Sequence, residues 1–227
     1  MRVEGDGEPL LLLNGLTRPL ESWRPFTREL SGRTVISFDA PGVGGSRTPL
    51  VPMSISMLAA LASAVVAEAG HPRADVLGFS YGGAVAQQLA SQSPAVVRRL
   101  VLAATSCGVG ATPGSFEALS SYRMPLDAAL WPRPNRVGTL WHYLALNYWS
   151  SIPLLGAMTV PTLVVCGTRD RLVPPANSVL LARRIPGARL ELLPAGHDLQ
   201  RTGPAQQLAR AVDAFLPAGP PGVDPVG

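Results

Sequence analysis

A chain of 227 residues is the length of one domain; with 47% apolar and only 15% charged residues it buries a large core and is not intrinsically disordered. The formal charge of +4 comes entirely from arginine, since all 19 basic residues are Arg. They are scattered from Arg2 to Arg210, and the only adjacent pairs, Arg98-Arg99 and Arg183-Arg184, are expected at helix ends, where they complement dipoles and make no nucleic-acid-binding patch.

Short apolar runs alternate along the chain with longer stretches of helical period, the pattern of repeated βα units around a parallel sheet. The first strand is expected at 10–13, a run too short to cross a bilayer. No basic segment, apolar stretch and small-residue cleavage site precede it, so the expectation is a cytoplasmic protein with no transmembrane segment. Asn14-Gly15-Leu16 forms the loop that follows. A helix at 23–30 leads to a strand at 34–38 and a glycine-rich turn, Asp39-Ala40-Pro41-Gly42-Val43-Gly44-Gly45-Ser46. That turn lacks the spacing of a phosphate cradle and reads as part of a site's rim.

After a helix at 55–69 and a strand at 75–79 comes the strongest signal, Gly78-Phe79-Ser80-Tyr81-Gly82, which opens a helix at 81–91. G-x-S-x-G occurs by chance in unrelated chains, so its context decides. Here a buried strand precedes the serine and a helix follows, as a nucleophile elbow requires. Small residues two before and two after the serine let strand and helix approach, and the helix N-terminus supplies positive potential.

A strand at 100–104 precedes a break in the alternation. Seven of the thirteen aromatic residues fall between 105 and 159, where prolines recur and 141–149 has the pattern of a short amphipathic helix. An insertion there lies above the carboxyl ends of the strands, where such sheets bind ligands. It is expected to form a short lid, with Trp141, Tyr148 and Trp149 as substrate contacts. Strands at 162–166 and 189–193, with helices at 176–184 and 204–215, complete the core, and the Pro/Gly-rich tail 217–227 is expected to be disordered. Cys107 and Cys166 sit in or beside apolar runs and read as buried free thiols.

A serine at its ordinary pKa needs a base, and the chain has three histidines. His71 lies on the opposite edge of the sheet from Ser80. His142 falls in the lid segment and is the second choice. His197 follows the last strand at the carboxyl edge and is the expected base. Asp170 stands just past another strand on the same edge and is the expected acid, giving the order Ser, Asp, His. Asp198 is read as a surface or supporting residue. The backbone N–H groups of Tyr81 and Leu16 are the expected oxyanion donors, with Gly15 permitting the loop's turn. No His, Cys, Asp and Glu cluster has metal-ligand spacing, and no cofactor is expected.

The Asn14-Gly15-Leu16 entry, the Asp39–Ser46 turn, the elbow with Gly83, Leu100-Val101-Leu102-Ala103-Ala104-Thr105, Arg184-Ile185-Pro186-Gly187-Ala188 and Gly196-His197 together resemble the α/β-hydrolases, and within them the intracellular poly(3-hydroxyalkanoate) depolymerases. The likeness spans 9–107 and 148–215. It implies an α/β-hydrolase fold, a mostly parallel sheet with helices on both faces and a core formed by 1–104 and 160–216. It also implies hydrolysis of an ester between hydroxyacyl units, in a small molecule or a polyester, through an acyl-serine intermediate, with Asn14 and Gly15 near the substrate. Two departures stand out: a shorter lid, and a start almost directly at the oxyanion-loop strand without the family's extra strand pair. Six parallel strands would leave 34–38 as an exposed edge, predicting a homodimer or marginal stability. An acyltransferase or cofactor-free perhydrolase uses the same triad, and a hydrolase-like binding protein with little turnover retains it; the pattern alone leaves these open.

Overall fold

The computed structural model describes residues 1–121 and 135–216, with 119–121 described by their helix alone. Seven strands form one sheet in the order β1-β3-β2-β4-β5-β6-β7: β1 Arg2–Glu4, β2 Glu8–Leu13, β3 Arg33–Ser37, β4 Ala74–Phe79, β5 Val97–Ala103, β6 Thr162–Gly167 and β7 Arg189–Leu193. From β2 onward every pairing is parallel.

Period-two alternation sorts the side chains of the central strands. Leu11 and Leu13 of β2 join the apolar cluster under α2 (Ile55–Glu68), α3 (Tyr81–Gln92) and α7 (Pro175–Arg184), whereas Leu10 and Leu12 face α1 (Arg24–Thr27) and α8 (Pro204–Phe215). All four leucines are at most 4% exposed, each contributing about 1.5–3 kcal/mol of burial. A run of four consecutive apolar residues therefore serves two cores at once, which is why it carries no hydrophilic face.

The expectation of six strands with 34–38 as a bare edge is corrected by β1. It pairs antiparallel with β3, with Arg2 opposite Ser37, Val3 opposite Ile36 and Glu4 opposite Val35. Three residues with one apolar side chain give no periodicity to read. Their pairing covers the edge that had predicted dimerisation or marginal stability.

Arg98 and Arg99 are likewise not at a helix end. The turn at Pro94 already leads into β5, and Arg98 donates from Nε to Asp75 Oδ1 (2.9 Å) and from Nη2 to Asp75 Oδ2 (2.7 Å) while also pairing with Glu8. Arg33 reaches the same fully buried carboxylate at 3.1 Å. This ion cluster closes the amino end of the sheet. Arg183 and Arg184 do lie in the last turn of α7. The helix expected at 23–30 is cut down to α1, preceded by a 3-10 turn, Leu20–Trp23.

Between β5 and β6 the described residues form α4 (Phe116–Ser121), α5 (Arg136–Asn147) and α6 (Ile152–Leu155). The middle of the expected lid, 122–134, and the expected disordered tail, 217–227, lie outside the described residues. Asn135 caps α5, its Oδ1 accepting from the N–H groups of Val137 and Gly138 at 3.0 Å each. The helix then docks on the glycine-rich turn. A Cβ on Gly42 would collide with the Gly138 backbone and one on Gly138 with the Gly42 carbonyl, so the two backbones touch as only glycines allow. Trp141 Nε1 donates to the Pro49 carbonyl at 3.0 Å and Asn135 Nδ2 to Thr48 Oγ1 at 2.7 Å. Cys107 and Cys166 are free thiols in the core, and burial pushes both above their ordinary pKa. No helix among the described residues is long and apolar enough to cross a membrane.

Candidate active site

Parallel strands deliver their following loops to one edge, and here the loops after β2, β4, β6 and β7 meet. Ser80 occupies the sharp turn from β4 into α3 with φ 51° and ψ −115°, a backbone conformation that costs a non-glycine residue about 1–3 kcal/mol. Three hydrogen bonds hold it there. Its N–H donates to the Ala103 carbonyl (2.8 Å), and its carbonyl accepts from Gly83 N–H (2.9 Å) and from the Thr105 hydroxyl (2.7 Å). The turn closes only because Gly78 and Gly82 carry no side chain: a Cβ on Gly82 would run into the Leu13 carbonyl, and one on Gly78 into the start of α3.

His197 Nε2 lies 3.1 Å from Ser80 Oγ, and its Nδ1 lies 2.8 Å from Asp170 Oδ2. A carboxylate can only accept, so Nδ1 donates and Nε2 presents its lone pair to the serine hydroxyl in the neutral ring. The other Asp170 oxygen accepts from the N–H groups of Leu172 (2.9 Å) and Val173 (2.8 Å), which fixes the carboxylate's orientation. The Phe79 ring packs against the imidazole at 5.3 Å between centroids. The structure thus brings Ser80, His197 and Asp170 into one hydrogen-bonded line, while His142 is engaged elsewhere.

Tyr81 is the first residue of α3, so its N–H has no partner within the helix. Opposite it, the loop after β2 is shaped by the Asn14 side chain. Asn14 Oδ1 accepts from Gly15 N–H (2.9 Å) and Gln200 Nε2 (2.9 Å), and its Nδ2 donates to the Pro19 carbonyl (2.7 Å) and Ser22 Oγ (2.8 Å). Asn14 therefore spends its amide on the loop, and Leu16 follows, half-buried, after the Gly15 turn. Arg18 donates to Gln200 Oε1 at 3.0 Å, pairs with Asp198 and lies over the Phe79 ring. Asp198, next to the expected base, is thus tied to the loop after β2. Sequence reasoning gave no role to Thr105, Arg18 or Gln200, although Thr105 closes the 100–105 motif, because each meets a partner far along the chain.

The two residues after the serine, Tyr81 and Gly82, border a small, mostly apolar pocket also lined by Leu13, Phe38, Leu58, Val85 and His142, with Asn14, Gly15 and Arg18 on the side of the β2 loop. Trp141, Tyr148 and Trp149 do not line it. Trp141 is turned to the Pro49 carbonyl, and Tyr148 is 88% exposed at the end of α5. Trp149 is buried against the α3 layer, with Nε1 donating to Gln88 Oε1 at 2.8 Å. Trp141 and Trp149 therefore anchor the segment, while Tyr148 faces solvent. Burial pushes the Tyr81 phenol well above its ordinary pKa. Burial likewise lowers His142, with the Pro41 carbonyl acting in the opposite sense. Among the described residues no group of three His, Cys, Asp or Glu side chains is placed to hold a metal.

An elbow at the topological centre of a mostly parallel sheet, with helices on both faces, defines an α/β-hydrolase. The family model for the alpha/beta hydrolase fold matches residues 8–134, and the chain belongs to that family. Among its relatives, the poly(3-hydroxyalkanoate) depolymerase of Ectopseudomonas oleovorans is 34% identical over 219 residues, covering 83% of this chain and 77% of that protein. A hydrolase from Pseudomonas aeruginosa PA01 superimposes with a TM-score of 0.84 at 27% identity, covering 96% of this chain and 93% of that one. The enol-lactonase of Burkholderia xenovorans LB400 shares the fold with a TM-score of 0.83 at 24% identity, covering 95% of each chain. Family and relatives make this chain a hydrolase.

Proposed function

We propose that this hydrolase is a serine carboxylic ester hydrolase that works through an acyl-enzyme on Ser80 and acts on esters of hydroxyacyl units. The observation that carries the reading is the continuous line Ser80 Oγ, His197, Asp170, with contacts of 3.1 and 2.8 Å, built on a strained elbow. Ser80 Oγ attacks the ester carbonyl as its proton passes to His197 Nε2. The negative charge on the former carbonyl oxygen is held by the N–H groups of Tyr81 and Leu16. Collapse breaks the bond to the alkoxy group, which leaves as an alcohol with the proton from Nε2. Water then attacks the acyl-serine with His197 again as base, releasing the acid and restoring Ser80. Asp170 orients the ring and stabilises its cation.

The hydroxyacyl class is supported by the 34% identity to a poly(3-hydroxyalkanoate) depolymerase and by the apolar pocket bordered by Tyr81 and Gly82. In the same reading, α5 is part of a cover over that pocket and contributes His142 to its lining. The test is release of p-nitrophenol from acyl esters of increasing length by the parent and by Ser80→Ala. The expected result is turnover in the parent and a fall of at least about a thousandfold in kcat in the variant. Equal rates from the two proteins would refute the acyl-serine scheme.

A further inference from the structure

The Tyr81 phenol and the His142 imidazole stack with centroids 4.8 Å apart and planes 11° from parallel, and both line the small pocket bordered by Tyr81 and Gly82, the two residues that follow Ser80. The residues are 5% and 4% exposed. Yet Tyr81 Oη and His142 Nδ1 have no hydrogen-bond partner among the described residues. Such buried orphans are costly, about 1–3 kcal/mol each, and are kept where something else satisfies them.

The geometry says what that something must offer. His142 Nε2 lies 3.0 Å from the Pro41 carbonyl oxygen, which has no proton to give, so Nε2 is the donor in that contact. Burial in an apolar pocket keeps the ring neutral, which leaves Nδ1 as a lone-pair acceptor. Tyr81 Oη can donate. An acceptor and a donor on two stacked rings are matched by a group that both donates and accepts at one oxygen, which is water in the free protein and a hydroxyl in a bound ligand. A ketone or ether oxygen can take the Tyr81 proton but has nothing for Nδ1.

We propose that Tyr81 and His142 form a hydroxyl-reading subsite that selects a free hydroxyl on the acyl unit bound beside Ser80. The proposal rests on the ester-hydrolase reading and adds a consequence to it. In an oligoester of hydroxy acids every internal hydroxyl is esterified, so only the unit at the hydroxyl terminus carries a free one. A subsite of this kind removes units from that terminus and favours short oligomers over the interior of a long chain.

The test compares kcat/KM for p-nitrophenyl esters of a 3-hydroxy acid and of its 3-methoxy counterpart, in the parent, His142→Phe and Tyr81→Phe. Both substitutions keep the stacked ring, and Tyr81→Phe keeps the backbone N–H. The readout is the ratio between two substrates, so a general loss of activity cancels. We expect a hydroxy-to-methoxy ratio of about ten or more in the parent, from the rejection of a ligand that leaves a polar group unpaired, falling to within about twofold in the variants. A parent ratio near one, or a ratio untouched by both substitutions, overturns the subsite while Ser80-dependent turnover leaves the ester-hydrolase reading standing. Should the parent turn over neither ester, that reading fails and the subsite is judged by binding. The ¹⁵N resonance of His142 Nδ1 in the parent is then followed on adding the free 3-hydroxy acid and, separately, the 3-methoxy acid. A shift with the hydroxy acid alone supports the subsite; no shift, or the same shift with both, overturns it.

Discussion

Thr105→Val tests whether the elbow is held by side chains that the motif does not contain. Thr105 is 2% exposed, and its hydroxyl donates to the Ser80 carbonyl at 2.7 Å, so the substitution removes one buried hydrogen bond while nearly conserving shape. The carbonyl keeps its second donor, Gly83 N–H at 2.9 Å, and is not orphaned, which puts the stability cost near the low end for a buried bond, about 1 kcal/mol. For a domain of this length that is a fall in Tm of about 2–4 °C. Activity should suffer more than stability. The φ of 51° at Ser80 stores about 1–3 kcal/mol, and the carbonyl loses one of the two donors that hold it. A shift of Ser80 Oγ from its 3.1 Å contact with His197 is expected to lower kcat about tenfold, with KM little changed. Thr105→Ser restores the hydroxyl without the methyl and should recover most of kcat. The assays are steady-state hydrolysis of a p-nitrophenyl ester and thermal unfolding. A kcat for Thr105→Val equal to the parent's, or one that Thr105→Ser fails to rescue, would refute the tether.

Two further predictions concern stability and association. His142 is held below its ordinary pKa by burial, so as pH falls through about 6.5 the unfolded chain takes up a proton that the folded one refuses, and stability drops. Denaturant midpoints at pH 7.5 and 5.5 should therefore differ less in His142→Phe than in the parent; an unchanged difference would remove His142 as the source. Deleting residues 1–5 takes away β1 and bares the β3 edge, so the shortened protein should self-associate in sizing experiments in a concentration-dependent way that the parent does not show.

The sequence was most legible where chemistry and topology coincide. Ser80, Asp170 and His197 each stand just past a strand, and a parallel sheet sends all such positions to one edge, so chain order alone placed them together. It was least legible where a residue's role depends on a distant neighbour. Arg98 looked like a helix terminus because a helical run precedes it, but Pro94 had already turned the chain and the buried Asp75 draws it into the sheet. Trp149 looked like a pocket wall because aromatics cluster around it, but the side chain that meets its indole, Gln88, is 61 residues away. Nothing in the local pattern distinguishes the two roles for an aromatic ring. β1 was invisible for the opposite reason, being too short to show any pattern at all.

Two of the motifs that carry the likeness to the depolymerases, the Asn14 entry and the Asp39–Ser46 turn, have a shared physical task, which is to tie together the loops next to the Ser80 elbow. Gln200, three residues past His197, donates to Asn14 Oδ1 and accepts from Arg18, joining the histidine loop to the loop after β2. The Leu20 N–H donates to Asp39 Oδ1 at 2.8 Å, joining that loop to the glycine-rich turn. Asp39 Oδ2 accepts from Gly45 N–H at 2.9 Å and the Ser46 hydroxyl donates to the Asp39 carbonyl at 2.7 Å, closing the turn on itself. Gly42 and Gly138 then bring α5 down onto it, and α5 carries His142 into the pocket. In the proposed scheme, a rim held in this way has little to rearrange as the oxyanion develops. Preorganisation of the rim is compatible with many substrates. In the proposed subsite, substrate preference is set one step further along the same contacts, by the His142 side chain that α5 presents when it docks. On that proposal His142, which lies outside both the Asn14 entry and the Asp39–Ser46 turn, is the residue to substitute when substrate preference is the question.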